Sequence, residues 1–83
     1  MTLTPNQQNQ LLALYTAGAY SRISAKRAEE LAMGNPLVIG KLRDLGLAQS
    51  GGVRRLGQQW TEYWLSDAGF EEARRLSLAH QHA

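Results

Sequence analysis

The sequence contains no cysteine. That excludes disulfides and thiolate metal sites, so packing alone must hold the fold. No apolar run approaches the roughly 18 residues of a membrane-spanning helix. The opening "MTLTPNQQNQ" has neither the basic nor the apolar region of a secretory signal peptide, and a cytoplasmic location is expected. Also missing are a nucleophile paired with a base, a phosphate-cradling glycine loop and a metal-ligand cluster. Neither an enzyme nor a cofactor is expected. His80 and His82 form the only His-x-His, at the chain end and with no third ligand. Glu62, Asp67, Glu71 and Glu72 read as helix-start charges rather than a carboxylate site.

What is present fits one small α+β domain. The 83 residues are 43% apolar, with residues 79–83 expected to fray. Charge is uneven. Between Tyr20 and Trp60 lie seven bases and three acids, a net of +4; after Trp60 the balance is −2. A basic middle suits a polyanion on one face.

Both prolines mark helix starts. Thr4, Pro5 and Gln7 form a capping box, Leu11, Leu14 and Tyr15 follow at helical spacing, and Gly18 is the stop. Ser24 is expected to cap a second helix, "AKRAEELAM", with Ala28, Leu31 and Ala32 inward. Ile23 reads either as a strand stub or as a staple before that helix. Asn35 caps a third helix, Pro36 opens it and Gly46 ends it, with Ile39 and Leu42 facing the core. Leu37 and Val38 are either buried against the other helices or exposed for a protein contact.

Beyond Gly46 the period changes. "LAQS" and "WTEYWLS" read as strands, the latter with Tyr63 and Leu65 on one face and Trp60 and Trp64 on the other. Either Gly51-Gly52 is the hairpin tip, or "GGVRRLGQQ" is a loop with Arg54 and Arg55 at its centre. The indoles are expected to be covered by the first helix or the last. Asp67 is expected to cap that last helix, with Phe70, Ala73 and Leu76 inward.

"IGKLRDLGLAQS" resembles the end of the third helix in bacterial winged-helix regulators of the arsenic-resistance-repressor and MarR types, on Ile39, Leu42, Gly46, Leu47 and Ala48. "YWLSDAGFEEARRL" is similar to the second half of that signature, on Tyr63, Leu65, Ser66 and Gly69. The resemblance spans roughly residues 20–78. It implies a winged helix-turn-helix of the bacterial or phage kind: a three-helix core, a two- or three-stranded β-wing and a short C-terminal helix.

The function implied is duplex-DNA binding by a small transcriptional regulator. The residues expected to meet DNA are Arg22, Lys26, Arg27, Asn35, Lys41, Arg54 and Arg55. A flat interface of this kind expects Lys26, Arg27, Lys41, Arg54 and Arg55 on one face. A homodimer through the C-terminal helix, at Leu76 and Leu78, would supply paired half-sites. Leu37 and Val38 offer no hydrogen bonds to base edges. The alternative is therefore a protein-interaction module binding a host protein through Leu37, Val38, Trp60 and Trp64.

Overall fold

The computed structural model describes residues 2–81. Three helices, α1 (Pro5–Thr16), α2 (Pro36–Asp44) and α3 (Asp67–Gln81), enclose an antiparallel hairpin of β1 (Ala48–Arg55) and β2 (Gln58–Leu65). The arrangement is α+β and winged-helix-like. Among the described residues, no helix is long and apolar enough to cross a membrane.

The expected start and stop signals operate locally. Gln7 N–H donates to Thr4 Oγ1 at 3.2 Å, and Thr4 N–H to Gln7 Oε1 at 3.0 Å. Asn35 Oδ1 accepts Leu37 N–H at 3.0 Å to open α2. Gly18 and Gly46, both at φ 79°, close α1 and α2. After α2, Leu47 N–H returns to Leu42 O and Gly46 N–H to Arg43 O, the paired bonds of a Schellman stop.

The second helix does not form. "AKRAEELAM" instead carries one 3₁₀ turn, Ala28–Glu30, preceded by another at Arg22–Ser24. Lys26 is extended and pairs with Tyr63 in both directions, at 2.9 and 2.7 Å. The local propensity is helical, but a nine-residue helix is marginal alone, whereas the free edge of β2 presents unpaired backbone groups. Ser24 caps no α-helix; its Oγ accepts Tyr20 and Ser21 N–H groups. Glu30 Oε2 accepts Arg27 N–H at 3.0 Å, an N-terminal capping contact that opens the Ala28–Glu30 turn. Ile23 is neither stub nor staple, since it lies wholly exposed in the first turn.

The hairpin is longer than either expected form. Its register runs from Ala48↔Leu65 to Arg55↔Gln58, so the tip is Leu56-Gly57. A tip at Gly51-Gly52 would have set Ala48 opposite Arg55 and driven a charge onto the buried face. The observed register places Ala48, Tyr63 and Leu65 in the core with Leu11, Leu14, Ile39 and Leu42.

Ser66, not Asp67, caps α3: its Oγ accepts Gly69 N–H at 3.0 Å. The same Oγ donates to Gly46 O at 2.6 Å. A Cβ on Gly69 would stand 1.7 Å from Leu47 O. The two halves of the sequence signature thus meet at one junction, where the end of α2 crosses the start of α3. On the far side of α1, Tyr15, Tyr20 and Phe70 stack with centroids 5.1 to 5.7 Å apart. Helix α3 is the longest element rather than a short one. Ala79 to Gln81, expected to fray, belong to it; His82 and Ala83 lie outside the described residues.

Candidate nucleic-acid interface

The hairpin builds the most cationic projection of the chain. From Arg54 to Gln59 every residue is exposed. This stretch holds two arginines, two glutamines and no acid. Leu56 and Gly57 have φ of 51° and 79°, the left-handed pair that a two-residue type I′ turn needs. Successive strand residues face opposite ways. Arg54, opposite Gln59, therefore shares the core-side face with Tyr63 and Leu65. Arg55, opposite Gln58, shares the outer face with Trp60 and Trp64.

The outer face is a row of indoles under arginines. Arg27 Cζ lies 3.9 Å from the Trp60 ring centroid, and Arg22 Cζ lies 5.9 Å from that of Trp64. Such contacts combine cation–π attraction with cover of apolar area. The indole N–H groups are satisfied too: Trp64 donates to Gln49 Oε1 at 2.7 Å, and Trp60 to Glu62 Oε2 at 3.3 Å. Arg27 also pairs with Glu29 at 3.2 Å. The indoles are half-buried: Arg27 and Arg22 lie over them, and Trp64 also packs against the core.

Helix α2 is set by α1. The side chain of Gln10, only 3% exposed, accepts Asn35 N–H and donates to Met33 O at 3.1 Å. This pins the turn before α2 and explains how Met33 is held at φ 54°. On α2, Ile39 and Leu42 are buried, Val38 is half-buried, and Leu37 is 82% exposed. Lys41 lines a shallow groove with Thr4, Gln7, Leu37 and Val38, on the α1 side. Arg43 turns the other way, donating to Ser50 Oγ at 3.3 Å on β1.

The expected cations are therefore not on one plane. Arg22, Arg27 and Arg55 belong to the outer face of the sheet. Arg54 belongs to the core-side face, as does Lys26, the half-buried neighbour of Tyr63 across the bridge. Lys41 lies beyond, toward α1. Asn35 spends its Oδ1 on capping α2. The apolar alternative divides as well. Trp60 borders a cleft with Pro36 and Gly34, while Leu37 and Val38 line the groove against α1.

Sequence reasoning passed over Leu56, Gln58, Gln59 and Gln10. "LGQQ" carried a usable signal, because Leu-Gly before an alternating strand can close a hairpin. Gln10 carried none. The resolved pKa shifts fall on α3: Arg75 donates to Glu72 and holds its carboxyl below the ordinary value, and the Arg75 guanidinium is raised in return. Among the described residues, no group of three or more His, Asp or Glu is placed to hold a metal ion. Comparison with protein-family models, curated proteins and solved structures found no match.

Proposed function

We propose that this chain is a winged-helix-like protein that binds duplex DNA, with the β1–β2 hairpin as its leading contact. The observation that carries this is the exposed, acid-free hairpin end, with arginines at 54 and 55 and amides at 58 and 59. Arginine suits phosphates and narrow minor grooves, and glutamine hydrogen-bonds base edges. A flat plate of five cations, as the sequence suggested, is not what supports it; strand alternation separates Arg54 from Arg55. Helix α2 offers less to base edges, since its exposed residues are Pro36, Leu37, Lys41, Arg43 and Asp44, and Arg43 is turned to Ser50 on β1.

The role that fits is a small transcriptional regulator of low intrinsic specificity. One protomer makes few contacts, so site selection would need two copies on paired half-sites. Leu76 is buried in the core, which leaves Leu78 as the exposed leucine of α3 for such a dimer.

The test is retardation of a random duplex at about 50 mM salt, weakening steeply as salt rises. Replacing Arg54 and Arg55 together by Ala should weaken binding on every sequence and lower the salt slope by about 2. No retardation at low salt would reject DNA binding.

A second reading, binding of a host protein, is favoured by one observation. Met33, 90% exposed, and Leu37, 82% exposed, line two neighbouring grooves between α1 and α2 that share Val38. A partner lost on Leu37→Asp and kept in the arginine double variant would support it.

A further inference from the structure

Two non-glycine residues of the described chain sit in the left-handed region: Met33 at φ 54° and Leu56 at φ 51°. Both are large, apolar and exposed. Met33 has a structural account, because Gln10 grips its carbonyl and so sets the start of α2. Leu56 has none of that kind. Its position in a type I′ turn favours Asn, Asp or Gly, and its side chain is wholly exposed at the end of the arm. Backbone strain and an apolar side chain in water coincide on one residue, and burial within the protein repays neither.

The surroundings of Leu56 identify what would repay them. Arg54 and Arg55 diverge to opposite faces of the ribbon, with Gln59 and Gln58 as their cross-strand partners. Proteins that pry open the minor groove combine these elements: Arg and Gln on the walls and floor, and a Leu, Ile, Met, Phe or Pro wedge between base steps.

The dimensions agree. Val53 and Trp60 are the last half-buried pair of the hairpin. Leu56 lies three residues beyond Val53, or about 10 Å at strand rise. The minor groove is about 6 Å wide and about 7.5 Å deep. A turn can enter it to the floor, while side chains splayed to either side meet the two phosphate walls. The divergence that breaks up a flat cationic plate is what an arm entering end-on requires.

Resting on the DNA-binding reading above, we infer that Leu56 is a wedge: it enters the minor groove, unstacks one base-pair step and kinks the duplex. Pyrimidine–purine steps, which unstack most readily, are its preferred targets.

The experiment uses the full chain and a 20-base-pair duplex with a central TA step. Binding is read by anisotropy, bending by energy transfer between end labels, and unstacking by 2-aminopurine at the step. The wild type should bind, raise the transfer and raise the 2-aminopurine emission. Leu56→Asn suits the turn and should melt higher than wild type. It should bind within about tenfold of wild type with an unchanged salt slope, because the unstacking cost disappears along with the contact. It should produce neither optical change. Wild-type binding without bending, or equal bending by Leu56→Asn, overturns the wedge and leaves DNA binding intact. No binding by the wild type removes both.

Discussion

The side-chain oxygen of Gln10 accepts the backbone N–H of Asn35 at 3.0 Å, across 25 residues of chain. The same amide donates to Met33 O, so one buried side chain satisfies a donor and an acceptor in the turn that opens α2. Gln10→Leu would keep the volume and remove both hydrogen bonds. Met33 and Asn35 are themselves exposed, so water can take over both groups; the loss is that of two ordinary hydrogen bonds, about 1–3 kcal/mol in urea unfolding. A change below about 0.5 kcal/mol, the range of ordinary surface substitutions, would show that Gln10 does not hold the turn.

Gly69 has no room for a side chain, because the nearest atom to its missing Cβ would be Leu47 O at 1.7 Å. Gly69→Ala must push α3 off the hairpin root, at a cost of about 3 kcal/mol or more. Gly52 is the control. It lies in β1, and a Cβ placed there would meet nothing within 4 Å. Gly52→Ala should stabilise by about 0.5–1 kcal/mol through a less flexible unfolded chain. Thermal melts of the two variants should therefore move in opposite directions.

Arg27 over Trp60 serves the fold, even though Arg27 is also a candidate DNA contact. Arg27→Ala should cost about 1 kcal/mol and shift the tryptophan emission as the ring gains water. A double-mutant cycle with Trp60→Leu should return a coupling of about the same size. No coupling would mean that the arginine merely lies above the ring.

Glu72 and Arg75 form an exposed pair one helical turn apart on α3. Arg75 holds the Glu72 carboxyl below its ordinary value of 4.5. The stabilisation is therefore fully present above pH 4.5 and is lost as pH falls through the lowered folded value. Glu72→Gln should unfold at slightly lower urea than wild type at about pH 7. The gap should close on acidification and shrink in high salt. A gap that does not narrow as pH falls below 4.5 would assign the effect to something other than charge.

How much was legible in the sequence follows from the range of each interaction. The capping box of Thr4 and Gln7, the cap at Asn35 and the glycine stops at 18 and 46 are short-range chemistry, and each appears where expected. The inward faces of β2 and α3 follow from periods of 2 and 3.6. "AKRAEELAM" misled because its propensity is helical while its backbone partner, Tyr63, lies 37 positions from Lys26. The indoles misled likewise: what covers Trp60 and Trp64 arrives from residues 22–27, which sit over them only because that segment pairs with β2.

The amino-acid order by itself determined the limits of α1 and α2, the buried positions of β2 and a basic, acid-free stretch from Arg54 to Gln59. Local hydrogen-bond geometry and side-chain period suffice for those. Only the tertiary structure decided where the hairpin turns, that Arg54 and Arg55 part company, and that Leu56 stands strained and bare at the end. Locally Gly51-Gly52 is the easier turn, because Leu56-Gly57 sets a leucine in the left-handed region. The choice fell to the register that keeps Ala48, Tyr63 and Leu65 in the core and every hairpin arginine out of it.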